Sequence, residues 1–401
     1  MEDNNHKITD ITEKYAIDYL KGEYIAPPID LLKDYSPDEI FTNEERVRKL
    51  GKKLQSTCDA FKVGAKVVGY NASTLSITFK LRLEQGVKAK AIHDLKKEFE
   101  YELASVVETG YLQEGSNMLR VSIKNLNRSL IGIKDVIRSN AFLESTSPLT
   151  VAAGMNVEGG PLVFDIAETP HLLIAGTTGS GKSVFIDDIL LSIIYKSSPD
   201  DVRFLLIDPK IVELQPYNGL PHLLDPVISD PDESLRHLFW IEEELNRRFE
   251  AFAKAGVKTI DAFNEVLKRE NKRKLPRILV VIDEYSDMIT NSPQFTNEVI
   301  DRLASMGRAT GVHLILATQL PTSKIVTPQI KSNLPCRASF TVIDGRESRT
   351  ILDKIGAERL LGNGDMIFSQ SETGAVHAQA AYISDEELKN VVRFVVSNNC
   401  K

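Results

Sequence analysis

The run Gly176, Thr177, Thr178, Gly179, Ser180, Gly181, Lys182, Ser183 has the residue types and spacing of a phosphate-binding loop. Its glycines let backbone N–H groups wrap an anion, and a helix starting at the lysine adds the positive end of its dipole. Lys182 is expected to neutralise charge on β- and γ-phosphates and the Ser183 hydroxyl to ligate Mg2+, so the cofactors predicted are ATP and Mg2+. The same spacing can fall on a structural glycine turn, and the flanks decide between the two. Residues 172–175 supply an apolar strand before the loop, and Val184, Phe185, Ile186, Ile189 and Leu190 supply a helix after it.

A second strand, 278–282, is aliphatic throughout and ends in Asp283 and Glu284. A carboxylate at such a strand end holds magnesium through water, and the one after it polarises an attacking water; the plain alternative is an acidic turn. Glu284 beside Asp283 predicts hydrolysis rather than binding alone. A third strand ends in Gln319, a polar tip that senses the γ-phosphate, orients water, or simply closes the strand with hydrogen bonds. Asp208 and Lys210 follow the strand 203–207 onto the same sheet edge, where ligands gather in open α/β sheets. Loop architecture and coupling to the site are both open for them.

These residues need a scaffold. Apolar strands at 171–175, 203–207, 277–282, 312–317 and 338–342 alternate with helices, the pattern of a mostly parallel sheet covered on both faces. Leu235, Leu238, Ile241, Leu245, Phe249 and Phe252 recur at three- and four-residue spacing up to Gly256 and predict one long amphipathic helix. Ser384 with Glu387 three residues on predicts a capping box opening the last helix. Ahead of this, strands at 66–70, 75–83 and 119–123 and a helix over 89–107 predict a small α+β domain. The expected division is a polar tail with a helix near 42–56 (residues 1–57), the small domain (58–147) and the larger α/β domain (148–401), with the boundary at the polar stretch 145–148.

At 401 residues and 42% hydrophobic content the chain can bury a sizeable core. A net charge of −7 excludes a surface coated in positive charge, yet is compatible with nucleic acid held in a basic pore. Cys58, Cys336 and Cys400 are scattered without zinc spacing, which predicts free thiols in a reducing cytoplasm. No apolar run approaches the roughly 20 residues of a membrane helix, so no direct membrane insertion is expected.

Taken in order, the motifs at 170–183, 207–210, 219–224, 282–284, 316–319, 348–353 and 360–366 resemble the motor region of the FtsK/SpoIIIE family, the double-stranded DNA translocases of bacteria. The resemblance implies a RecA-like P-loop NTPase domain preceded by the small α+β domain. It also implies an ATPase that drives double-stranded DNA through a homo-hexameric ring with ATP between subunits. In such a ring an arginine of one subunit reaches the γ-phosphate bound by the next. Arg308 is the first candidate, ahead of Arg349 and Arg337. The segment after Gln319 is similar to the family's pore loop, where Lys324 and Lys331 would meet DNA phosphates without sequence preference; Leu320 stands where arginine is common. The cell-division members carry a membrane anchor and a C-terminal winged-helix domain, and neither is expected here. The expectation is a free-standing cytoplasmic motor, encoded by a mobile element, plasmid or defence system, or docked through its N-terminal tail to an unidentified partner. The competing readings are a ring ATPase that moves protein or couples conjugative transfer, and a nucleotide-gated DNA-binding scaffold.

Overall fold

The structure, a computed structural model, describes residues 22–35, 44–72, 76–112, 117–124, 130–291, 293–370 and 374–399. Contacts divide these into two units. The larger takes in the described residues up to Lys33, Gly132–Gly154 and Leu162 onward; the smaller takes in Asp34–Ile131 and Met155–Pro161.

In the smaller unit, strands β1 (Ala65–Ala72), β2 (Ser76–Leu83), β3 (Val107–Leu112) and β4 (Met118–Lys124) form an antiparallel sheet in the order β1-β2-β4-β3. Along β2 the side chains alternate, so Ile77, Phe79, Leu81 and Leu83 are buried while Lys80 and Arg82 face solvent. The helix Glu44–Ala60 adds Val47, Leu54 and Cys58 to this core. The one helix expected over 89–107 is two, Ala89–Asp94 and Lys96–Leu103. Leu95 departs from helical geometry at ψ 6°, and Ala104, left-handed at φ 47°, stops the second helix. Val107, expected in that helix, instead opens β3, a strand the sequence did not suggest.

The larger unit is built on β5 (Thr150–Asn156), β6 (Pro161–Asp165), β7 (His171–Ala175), β8 (Val202–Ile207), β9 (Arg277–Ile282), β10 (Val312–Thr318), β11 (Cys336–Ser339), β12 (Asp365–Gln370) and β13 (Gly374–Ala380). They form one sheet in the order β6-β5-β13-β12-β11-β7-β10-β9-β8. The run β11-β7-β10-β9-β8 is parallel, whereas β12 is antiparallel to both β11 and β13. The fold is α/β, with the mostly parallel sheet expected of a RecA-like P-loop NTPase domain. Every residue of β7, β8 and β10 is buried, as strands covered by helices on both faces require.

Strand order positions the chemistry. β10 lies between β7 and β9, so its tip falls between the phosphate loop and the Asp283–Glu284 turn. The strand expected at 338–342 ends at Ser339. Phe340 N still donates to Ala175 O at 2.8 Å, but Thr341 O turns to accept Thr177 N at 2.9 Å, which folds the chain over the loop. The long amphipathic helix spans Pro231–Ala255, capped by Asp230 and stopped by left-handed Gly256. The capping box forms: Glu387 N donates to Ser384 Oγ at 3.4 Å, and Ser384 N to Glu387 Oε2 at 3.1 Å.

Two expected boundaries shift. Residues 132–147 lie with the larger unit, because Ile133, Val136 and Phe142 are buried there and Lys196 Nζ donates to Phe142 O at 2.8 Å. Part of the expected tail is folded on that unit too: Leu32 is buried, Tyr24 donates to Ile194 O at 2.8 Å and Lys33 N to Glu387 Oε1 at 2.6 Å. Residues 1–21, 36–43 and Cys400 lie outside the described residues, and with them most of the tail. Among the described residues no helix is long and apolar enough to cross a membrane, and Cys58 and Cys336 are free thiols.

Candidate active site

β7 delivers the chain into the phosphate loop at Gly176, and the helix Lys182–Lys196 leads away from it. Space forces the glycines at both ends. A Cβ at Gly181, where φ is 109°, would lie 2.5 Å from Gly364 N, and one at Gly176 would lie 2.6 Å from Phe340 Cβ. Ser180 Oγ is buried with no hydrogen-bond partner among the described residues. The first turn of the helix carries N–H groups that have no intrahelical acceptor. Lys182 is 3% exposed, and its Nζ donates to Asp283 Oδ1 at 2.7 Å and to Asp283 O at 2.9 Å. Such a cradle, with a buried cation beside a helix start, fits the phosphates of a nucleotide.

Glu284 is buried with both carboxylate oxygens held. Oε1 accepts from Ser286 Oγ at 2.7 Å and Thr318 Oγ1 at 2.9 Å, and Oε2 from Lys210 Nζ at 3.1 Å. The Gln319 N–H is shared between the two oxygens at 3.2 Å each. Burial pushes this carboxyl up, but the hydrogen bonds from Ser286, Thr318 and Lys210, with the lysine's charge, outweigh it and hold the group below the usual glutamate range. It is therefore ionised at neutral pH, the form that accepts a proton. Gln319 Oε1 in turn accepts from Thr178 Oγ1 at 2.9 Å, which ties the tip of β10 to the phosphate loop. Ser286 and Thr318 carry no motif of their own; adjacency to Glu284 and Gln319 was the one available signal.

Asp208 and Lys210 divide the two roles left open. Asp208 Oδ2 accepts from the N–H groups of Val212, Glu213 and Leu214 at 3.0, 3.1 and 3.0 Å, and Oδ1 from Lys210 N at 3.2 Å. These bonds hold a tight loop in which Ile211 takes a left-handed φ of 58°. Asp208 is architectural, and Lys210 is the residue that reaches Glu284.

Other expected residues fall elsewhere. Arg308 is exposed in the last turn of the helix Pro293–Thr310, at the amino-terminal end of β10. The phosphate loop and Gln319 are at the carboxyl-terminal edge, about 20 Å away along the strand. Arg308 lines a cleft of about 730 Å³ there with Arg277, Asp261 and His313. Arg337 is committed locally, donating to Asp353 Oδ2 at 2.6 Å, Ile351 O at 3.1 Å and Lys331 O at 3.0 Å. Arg349 is exposed on the helix Gly345–Leu352. Lys331 Nζ pairs with Asp353 Oδ1 at 2.6 Å, while Lys324 is exposed on the loop that follows Gln319 and Leu320. The two lysines are therefore unlike: one is already engaged by a carboxylate.

Residues 132–323 match the FtsK/SpoIIIE family, and residues 26–125 match the FtsK alpha domain. The chain is 35% identical over 393 residues to DNA translocase FtsK of Haemophilus influenzae, an alignment covering 91% of this chain and 74% of that protein. The chain belongs to the FtsK/SpoIIIE family. The matched residues 132–323 take in the phosphate loop, Asp283, Glu284 and Gln319. It is 40% identical over 390 residues to DNA translocase FtsK of Caldanaerobacter subterraneus, covering 97% of this chain and 54% of that one. It is also 40% identical over 380 residues to DNA translocase SftA of Bacillus subtilis, covering 94% and 40% respectively. This FtsK/SpoIIIE chain thus spans roughly half the length of these two relatives. Among solved structures, the monomer form of the pCW3 conjugation coupling protein TcpA with ATPγS matches with a TM-score of 0.61 at 20% identity, over 86% of this chain and 99% of that one. The cytoplasmic domain of the type VII secretion ATPase EccC of Thermomonospora curvata matches at 0.58 and 24% identity, over 66% and 34%. Both likenesses establish the shared fold.

Proposed function

We propose that this chain hydrolyses ATP to move along double-stranded DNA, working in the cytoplasm as one subunit of a homo-hexameric ring. The observation that carries the reading is the Glu284 cluster, a buried carboxylate kept ionised and hydrogen-bonded to the backbone of Gln319, whose side chain meets the phosphate loop. A chain that only bound nucleotide would have no use for a base held so closely. The relatives named DNA translocase support DNA as the track.

In this reading residues 176–183 hold the polyphosphate through backbone N–H groups, and Lys182 shares its charge between Asp283 and the phosphate oxygens. Ser183 and Asp283 would hold Mg2+, which would supply neutralisation of the phosphates' negative charge. Glu284 accepts the proton of the attacking water, and Gln319 orients that water or senses the γ-phosphate. Arg308, remote from its own loop, serves the nucleotide of a neighbouring subunit. Lys324 meets DNA phosphates without reading sequence. Lys331 joins it at the cost of its pair with Asp353. The N-terminal tail, residues 1–57, docks an unidentified recruiting partner.

Displacement of a triplex-forming oligonucleotide from a long duplex tests movement itself. The wild-type chain with ATP is expected to strip the third strand, and Lys182→Ala and Glu284→Gln are expected not to. Hydrolysis that leaves the triplex in place would remove support for translocation and favour a ring that moves protein.

A further inference from the structure

The long helix Pro231–Ala255 carries a buried ion pair that no step of hydrolysis uses. Arg248 is fully buried, and its Nε donates to Glu244 Oε1 at 2.7 Å, one helical turn earlier; Glu244 is buried as well. Taking two charges out of water is costly, and apolar side chains of similar volume often hold a core as well, so stability alone is a weak account of the pair. Its third partner is more informative. Arg248 Nη1 donates to Thr310 O at 2.8 Å. Thr310 is the last residue of the helix Pro293–Thr310, and a helix end leaves its final carbonyls without an intrahelical N–H. A cation placed there also meets the negative end of the helix dipole. Two residues before Thr310, in the same turn, stands the exposed Arg308.

The rest of that turn is fixed with little slack. Gly307 is buried so close to the start of β10 that a Cβ on it would lie 2.3 Å from Val312 O. Thr310 Oγ1 donates to Gly307 O at 3.0 Å. Gly311, left-handed at φ 74°, ends the helix, and its carbonyl accepts Ile278 N of β9 at 2.8 Å. The sheet thus holds the turn from one side, and Arg248 holds its terminal carbonyl from the neighbouring helix. What remains free is the Arg308 side chain. A group that acts on a distant phosphate from such a base depends on where the base is held, because a displacement of about 1 Å at a reacting group can cost about 100-fold in rate.

We propose that Arg248, oriented by Glu244, is a positioning residue for Arg308: it fixes the turn from which Arg308 projects toward the nucleotide of a neighbouring subunit. The assignment rests on the reading of Arg308 as the arginine that serves another subunit.

The test is the steady-state ATPase of full-length chains, alone and mixed, with assembly into rings checked in each case. Arg248→Met removes the charge and the donors, and is expected to lower kcat about 100-fold with little change in KM, because the chain's own phosphate loop is untouched. Mixing shows where the loss lies. With Glu284→Gln chains, which keep Arg308 but lack the base, Arg248→Met chains should regain activity, since their intact base then faces a well-held arginine. With Arg308→Ala chains they should stay inactive, because neither chain supplies one. The reverse pattern would place the damage in the variant's own nucleotide site and overturn the proposal. So would any other pattern in assembled rings, or a wild-type rate in Arg248→Met alone. Arg248→Lys keeps the charge without the fork of donors, so it should lose less activity and show the same mixing pattern; it carries the test if Arg248→Met does not assemble. Arg308→Ala mixed with Glu284→Gln separates the two levels: if that pair stays inactive, the reading of Arg308 itself fails, whereas activity there with none in Arg248→Met plus Glu284→Gln overturns the positioning role alone.

Discussion

At the scale of single residues, the deciding balance is at Glu284, where burial works against ionisation and three side-chain donors work for it. Lys210 contributes both a hydrogen bond and a positive charge, and its own pKa is raised because the Glu284 bond and charge outweigh its burial. Lys210→Met removes the charge and one donor, so Glu284 is expected to titrate at higher pH. The acid limb of the pH profile of kcat/KM should then move to higher pH, with less change near neutrality. An unmoved limb would mean that Ser286 and Thr318 alone hold the carboxylate. The direction for stability follows the same sign. A glutamate depressed in the folded state contributes stability that is full above its unfolded pKa of about 4.5 and is lost as pH falls through the folded value. Glu284→Gln should reduce hydrolysis by about 100- to 10,000-fold, the usual contribution of a positioned base, while ATP still binds.

At the scale of elements, one side chain can hold a whole loop. Asp208 accepts four backbone N–H groups at the exit of β8, so Asp208→Ala leaves donors unpaired and is expected to cost about 2 to 3 kcal/mol. That loss should appear as a lower denaturant midpoint with an unchanged slope. What was legible in the sequence followed from the same physics. β7, β8, β9 and β10 are buried along nearly all of their length and apolar apart from His171, Arg203, Arg277, His313 and Thr318, which is why the phosphate loop, Asp283–Glu284 and Gln319 could be placed on strand ends. β13 was not legible, because its Gly374–Ala380 run includes His377 and Gln379, polar side chains that find partners across the fold, among them Asp365 and Asn363. Lys331 and Arg337 read as available cations for a related reason. Asp353, which pairs with both, reaches them through tertiary folding.

At the scale of the whole molecule, the separation of Arg308 from its own phosphate loop is the feature with the widest consequence. A residue at the opposite edge of the sheet can serve hydrolysis only from another subunit. Mixing Arg308→Ala chains with Glu284→Gln chains should therefore restore part of the ATPase activity that each lacks alone, at interfaces where an intact arginine faces an intact base. If the mixture assembles into rings and stays inactive, Arg308 is not that arginine. The claim that hydrolysis serves movement on DNA is tested most directly by the steady-state ATPase rate with and without long duplex DNA at low salt. Duplex DNA is expected to raise the wild-type rate, rising salt to remove the stimulation as phosphate contacts weaken, and Lys182→Ala and Glu284→Gln to be inactive in both conditions. A wild-type rate that is the same with and without DNA would contradict it.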